Sequence, residues 1–165
     1  KHQAAYMITI EEGYKKIKKR VYVDMDGVMC DIKKAIMSRR LRPATHNEEI
    51  FPQSKIGFFL TMDPMEGAIE AIFELDRRGY EVWFLTRPSY INANCYTEKA
   101  LWIRNNLGMK WQERLIICPN KSLVKGDYLV DDHTADGQLD FEGELLHFGE
   151  DNKFKDWKMM LDYLV

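Results

Sequence analysis

A chain of 165 residues, 45% hydrophobic, 12% aromatic and 30% charged, holds one domain with a sizeable core, which excludes two full domains, a fibre or a disordered polypeptide. Its 24 basic residues against 26 acidic ones leave a formal charge of −2, so nucleic acid and anionic membranes are not the default partners. Cys30, Cys95 and Cys118 are odd in number, widely spaced and without a CxxC pair, which argues against a disulfide framework or structural zinc and favours a reducing, cytoplasmic compartment.

The start, KHQAAYMITI, lacks the basic-then-apolar layout of a secretory leader, and no apolar run approaches the roughly 20 residues that span a bilayer. Lys1 to Tyr6 read as a tag or processing remnant, with Met7 a candidate native start, and residues 1–20 as a lead-in to a single domain over 21–165. The run YKKIKKR, Tyr14 to Arg20, gathers five basic residues; a solvated approach to the first strand is the preferred reading over phosphate or nucleic-acid contact. Val21 to Met25 is a short apolar strand that ends in acids. Asp31 to Leu41 predicts a helix, and the polar, irregular passage RPATHNEEIFPQSKIGFF follows. A connection that long without a role is uncommon, so residues 32–66 are expected to form a small cap inserted over the active face.

Beyond the insertion the elements alternate. Ile69, Ile72 and Leu75 recur at helical spacing in a helix beginning near Gly67 and stopped by Gly79, and Glu81 to Thr86 reads as the next strand. A helix over Asn94 to Leu107 stops at Gly108; Leu115 to Cys118, Tyr128 to Val130 and Leu145 to Phe148 are short β-rich runs. Phe154, Trp157, Leu161 and Leu164 put an apolar stripe on a closing helix. Such alternation predicts an α/β fold, a Rossmann-like parallel sheet with helices on both faces.

In such a sheet ligands bind beyond the carboxyl ends of the strands. The first strand delivers Asp24 and Asp26 followed by Gly27, the second Thr86, the loop after LIICPN Lys121, and YLV the pair Asp131 and Asp132. Clustered carboxylates repel one another unless a cation neutralises them, and an oxygen-only set suits Mg²⁺ together with a phosphate. Lys121 and Thr86 then supply a charge and a hydrogen bond to phosphoryl oxygens. A lone Asp at a strand end is usually a helix cap, an explanation that strains over four acids, a hydroxyl and an amine at separate ends. A calcium-loop reading of DMDG fails, because Gly27 comes too early and the twelfth residue from Asp24 is Ala35. A receiver-type signalling domain uses similar groups but carries its acid pair first, whereas here the pair comes last.

The set DMDGV, LT, Lys121 and GDYLVDD, in that order, resembles the haloacid dehalogenase superfamily of aspartate-nucleophile phosphatases. More narrowly the chain is similar to the 5′(3′)-deoxyribonucleotidases, through the FF…P..GA.EA..EL run from Phe58 to Leu75, the TRP at Thr86 to Pro88, the EK..WI….LG run from Glu98 to Gly108, and NKSLVKGDYLVDD. The likeness covers Val21 to the Asp156–Trp157 helix. It implies a Mg²⁺-dependent phosphomonoesterase acting on nucleoside monophosphates, deoxyribonucleotides favoured, through an aspartyl-phosphate. In it Asp24 is the nucleophile and Asp26 the general acid and base, and Thr86, Lys121 and Arg87 hold the phosphoryl group. Asp24, the Asp26 backbone carbonyl and Asp132 bind the metal, with Asp131 an orienter or alternative ligand. Residues two apart on a strand point to one face, and a carboxylate nucleophile splits one hard displacement into two easier ones.

Where the family carries a base-pocket aromatic after its first motif, this chain has Ile32. Phe51, Phe58 and Phe59 are the aromatics left to stack on a base, a contact worth about 1–3 kcal/mol, although Phe58 and Phe59 also read as core where the insertion rejoins the sheet. His133 follows the acid pair, within reach of the site rim, although an exposed loop residue without a role is the preferred reading; His46, His147 and Cys30 read as surface or packing. The alternatives are the same chemistry on a sugar phosphate or a nucleic-acid 3′-phosphate end, and a non-catalytic metal-binding module, which the presence of both Asp24 and Asp26 disfavours. The expected partner is a small phosphate ester, with neither membrane nor nucleic acid, and a homodimer is allowed.

Overall fold

The computed structural model describes residues 18–41 and 44–165, so the Met7 start and most of the Tyr14 to Arg20 run lie outside the described residues. Five strands, β1 (Arg20–Val23), β2 (Glu81–Thr86), β3 (Leu115–Ile117), β4 (Tyr128–Asp131) and β5 (Glu144–His147), form one parallel sheet in the order β3-β2-β1-β4-β5. The helices are α1 (Ile32–Arg40), α2 (His46–Ile50), α3 (Ala68–Arg77), α4 (Cys95–Leu107), α5 (Met109–Gln112) and α6 (Trp157–Tyr163). Chain order reverses around β1, which pairs with β2 on one side and β4 on the other. That arrangement leaves a crevice at its carboxyl end.

Alternation along β1 sends Val21 and Val23 to one face and Tyr22 to the other. The Val21 face carries the main core: Ala71, Ile72 and Leu75 of α3, Trp102 and Ile103 of α4, and Trp157 and Met160 of α6 all pack there. Tyr22, Leu85, Leu129 and Phe141 form a smaller cluster on the opposite face, the more thinly covered one, where Val124 packs against them. Among the described residues no helix is long and apolar enough to cross a membrane.

Element ends follow local chemistry. Asp31 caps α1 by accepting from the Lys34 amide, Asp156 caps α6 by accepting from that of Met159, and Gly79 adopts a φ of 92° just beyond α3. The sheet pairing of β1 ends at Val23, two residues before the expected Met25, although the Asp24 amide still donates to the Val130 carbonyl at 2.9 Å. The passage expected to be irregular contains α2 and a 3₁₀ turn at Pro52–Ser54. Thr45 accepts from the Glu48 amide and the Glu48 carboxylate accepts from the Ala44 amide, a reciprocal cap that starts α2.

Candidate active site

Three strand ends place two acids and a hydroxyl. Asp24 follows β1, Thr86 closes β2 and Asp131 closes β4. After Asp24 the chain turns back on itself, the Met25 carbonyl accepting from the amides of Val28, Met29 and Cys30. Gly27 sits in that turn at φ 84°, and a Cβ there would lie 2.2 Å from the Asp132 carboxylate. Only glycine lets the first and last motifs come this close.

Lys121 is held from below. Asn120 caps its 3₁₀ turn through the Ser122 amide, and the Lys121 amide donates to the Asp136 carbonyl at 2.8 Å. Its ammonium, buried, donates to Asp24 Oδ1 at 2.7 Å and to Asp131 Oδ2. Burial works against the lysine's charge, but Asp24 and Asp131 together outweigh it and hold Lys121 above its ordinary range. Asp131 is pushed up to about 6 by burial and by the Asp24 charge, against the pull of Lys121. Both Asp131 oxygens are engaged, Oδ2 by Lys121 and Oδ1 by the His133 amide.

A second lysine joins the site, one the motif reading did not single out. Lys99, buried on α4, donates to Asp26 Oδ2 at 2.9 Å, to Thr86 Oγ1 at 2.6 Å and to the Arg87 carbonyl at 2.8 Å. It thereby fixes the candidate acid and the candidate phosphate hydroxyl relative to each other. Its signal lay in the helical spacing: Cys95, Glu98, Lys99, Trp102 and Ile103 share the buried face of α4, so two charges sit on an apolar stripe. Burial, with a smaller push from Asp24, raises Asp26 above the usual carboxylate range against the opposing pull of Lys99. Its Oδ1 is enclosed and without a hydrogen-bond partner.

These groups open onto a cavity of about 320 Å³. Asp24, Asp26, Thr86, Arg87, Lys121 and Asp131 line it, as do Ile32, Pro88 and Ser89. Arg87 pairs with Asp136, also on the lining, and its guanidinium lies 5.7 Å from the Tyr90 ring centroid. His133, read from sequence as a residue without a role, lines the cavity as well and places Nδ1 2.9 Å from Asp132 Oδ1. The aromatic candidates fare differently. Phe58 and Phe59 are buried in the core, ring against ring at 5.1 Å, and neither they nor Phe51 lines the cavity. Two large rings gain more by burial where the insertion rejoins the sheet than by facing an open cavity. Of the four residues expected in a base pocket, Ile32 alone reaches the cavity.

The donor set suits a hard divalent cation. Four carboxylates, Asp24, Asp26, Asp131 and Asp132, meet two ammonium groups, Lys99 and Lys121, with Arg87 paired to Asp136 and His133 Nδ1 against Asp132, and Asp26 Oδ1 has no partner. Asp132 is itself raised by burial and by Asp24, the mark of carboxylates crowded without enough cation. Potential ligand atoms of Asp131, Asp132 and His133 also lie within 4.8 Å of one another.

Comparison with known proteins agrees with this geometry. The family model described as 5′ nucleotidase, deoxy (pyrimidine), cytosolic type C protein matches residues 45–153. A Vibrio phage KVP40 protein assigned as a 5′(3′)-deoxyribonucleotidase is 36% identical over 145 residues, 88% of this chain and 84% of that protein. The human cytosolic-type 5′(3′)-deoxyribonucleotidase is 31% identical over 147 residues, with 72% of this chain and 73% of the human protein covered. In three dimensions the chain is similar to a haloacid dehalogenase-like hydrolase from Streptococcus pneumoniae, at a TM-score of 0.53 and 12% identity over 88% of this chain and 90% of that one. A haloacid dehalogenase superfamily hydrolase from Geobacter sulfurreducens gives 0.52 and 14% over 90% and 97%. These two likenesses are of fold. The chain belongs to the 5′(3′)-deoxyribonucleotidase family, phosphoric monoester hydrolases built on the haloacid dehalogenase fold.

Proposed function

We propose that the protein hydrolyses nucleoside monophosphates, deoxyribonucleotides favoured, with Mg²⁺ and through a phosphorylated Asp24. The observation that carries this reading is the pair of buried lysine networks, Lys121 on Asp24 and Asp131 and Lys99 on Asp26 and Thr86, meeting at one cavity. Lys121 holds Asp24 in place for attack on phosphorus, and Lys121, Thr86 and Arg87 take up the charge on the phosphoryl oxygens. The P–O ester bond breaks as the Asp24–phosphorus bond forms, and the leaving alkoxide takes the proton of Asp26, whose raised pKa suits an acid. Water then attacks the phosphorus of the aspartyl-phosphate, giving its proton to Asp26 and releasing phosphate and the Asp24 carboxylate.

Asp24, Asp132 and the Asp26 backbone carbonyl would hold Mg²⁺, and Asp131, with both oxygens engaged, would act as an orienter through Lys121. When bound, the ion supplies the positive charge that lets an anionic nucleophile approach an anionic phosphate. The substrate class is supported by the names of the phage and human relatives and by the cavity, whose about 320 Å³ falls within the range of small-molecule sites. Three free cysteines, two of them buried, and a cytosolic-type relative support a cytoplasmic location. The test is phosphate release across nucleoside 5′- and 3′-monophosphates and sugar phosphates. We expect deoxyribonucleotides to lead, EDTA to abolish turnover, Mg²⁺ to restore it and Ca²⁺ to inhibit. Full activity in EDTA would exclude the metal, and a sugar phosphate in the lead would exclude the substrate class.

A further inference from the structure

The segment that brings the insertion back to α3 is gripped by side chains whose hydrogen bonds go to its main chain. Asn92, 3% exposed, donates from Nδ2 to the carbonyls of Gln53 at 3.1 Å and Lys55 at 3.0 Å. Glu98, 5% exposed in the first turn of α4, accepts from the amides of Gly57 and of Phe59, the latter at 3.2 Å. One turn on, Trp102 Nε1 donates to the Met62 carbonyl at 2.7 Å. Two carbonyls and then two amides, at alternate residues, thus meet first a donor and then an acceptor. A buried amide and a buried carboxylate are costly unless bonded, so both side chains depend on the segment they hold.

Neither α1 nor α2 contains a buried residue, so the insertion is anchored through its return segment, by Phe58, Phe59 and Met62 in the core and by this polar grip on the main chain. The grip also reaches the cavity from two directions. The Asn92 amide donates to the Ser89 carbonyl at 3.3 Å, and Pro88 and Ser89 line the cavity beside Ile32, the first residue of α1. Phe59, held at its amide by Glu98, has its ring centroid 5.1 Å from the Lys99 ammonium that bonds Asp26 and Thr86.

We propose that Asn92 and Glu98 are positioning residues for substrate discrimination: they seat the insertion by its main chain and so set the spacing between Ile32 and the Pro88–Ser89 wall. A nucleoside has to pass between these walls once its phosphate reaches Asp24, a statement that rests on the nucleotidase reading. The grip uses main-chain groups alone, while Phe58 and Phe59 turn their rings into the core beneath it.

Two near-isosteric variants test this. Asn92→Asp removes both donated bonds, and Glu98→Gln turns one acceptor into a donor facing an amide. Each is expected to raise KM for a deoxyribonucleoside monophosphate about tenfold relative to the unaltered protein, while kcat for p-nitrophenyl phosphate stays within about twofold. An equal loss on both substrates, or no change on either, overturns the proposal. Hydrogen exchange on the unaltered protein needs no variant to fold, and decides alone if neither variant melts cooperatively. The Gly57 and Phe59 amides should exchange far more slowly than those of the exposed turn at Ile56, and equal rates overturn the grip. If the unaltered protein hydrolyses no nucleoside monophosphate, the substrate reading fails separately. The same KM comparison is then made with whichever ester of the panel is turned over.

Discussion

Around the carboxyl ends of the strands, Asp24 and Asp131 are buried on Lys121 and Thr86 on Lys99, whereas α1 and α2 of the insertion bury nothing. In the first region each charge depends on a partner, because an ion left alone in a low-dielectric interior costs several kcal/mol. In the second, α1 and α2 bury no side chain fully, and attachment runs through the buried Phe58, Phe59 and Met62 together with main-chain bonds to Asn92 and Glu98. The contrast divides the labour: fixed dipoles and charges suit chemistry, which tolerates little displacement, and a sparsely packed segment suits adjustment to a substrate. Substitutions in the two regions should therefore differ in size and in kind.

The largest effect is expected from Asp24→Asn, which should abolish turnover of every substrate and leave no phosphoenzyme detectable by mass spectrometry, since an amide is a far poorer nucleophile than a carboxylate. Residual phosphorylation of the variant would remove Asp24 from the role. Asp26→Asn should discriminate between substrates. A nucleotide's alkoxide needs a proton as it leaves, so its first step should slow by about 10²–10⁴-fold, whereas nitrophenolate leaves unaided. With p-nitrophenyl phosphate we expect a burst approaching one nitrophenol per site and then a slow steady state, because no base activates the water. An equal collapse of the first step for both substrates would make Asp26 a builder of the site rather than its acid.

Lys99→Met sharpens the comparison from the stability side. The substitution keeps a buried chain of similar length but strips Asp26, Thr86 and the Arg87 carbonyl of a shared donor. We expect a loss of about 2–3 kcal/mol in urea unfolding. Activity should fall on nucleotides and p-nitrophenyl phosphate together, since Thr86 and Asp26, the proposed phosphate hydroxyl and acid, are both released. Unchanged stability would mean that water replaces the ammonium, and the first region would be less dry than its burial implies.

Much of this architecture was legible because its signals are local. Glu81 to Thr86 is an apolar run set off by Gly79, and it is β2 residue for residue. The site acids stood out because several strand ends carried them at once. What escaped was set by contacts distant in sequence. Lys99 and Asp26 are separated by 73 positions, so spacing on α4 could show a charge on the buried face but not its partner. Helix α2 was missed although Thr45 and Glu48 carry the capping-box signature, because five residues give too little periodicity to oppose a polar composition. Phe58 and Phe59 were candidates for both core and pocket, and only their packing under α4 decides for the core.

The smallest effect is expected at Phe51, the exposed aromatic of the insertion. The residue is 45% exposed and lies off the cavity lining, so Phe51→Ala should change stability by no more than about 0.5 kcal/mol. The KM for deoxyribonucleotides should move by less than about threefold, because the Phe51 side chain neither lines the cavity nor holds the insertion in place. The measurement decides between two pictures of the insertion. In one it is a wall, already seated by Asn92 and Glu98 and meeting substrate only at Ile32. In the other it closes further when a nucleotide binds, and an exposed ring becomes the platform for the base. A rise in KM of tenfold or more with Phe51→Ala, at unchanged turnover of p-nitrophenyl phosphate, would establish the second, because only a ring that moves onto the substrate could then account for the loss.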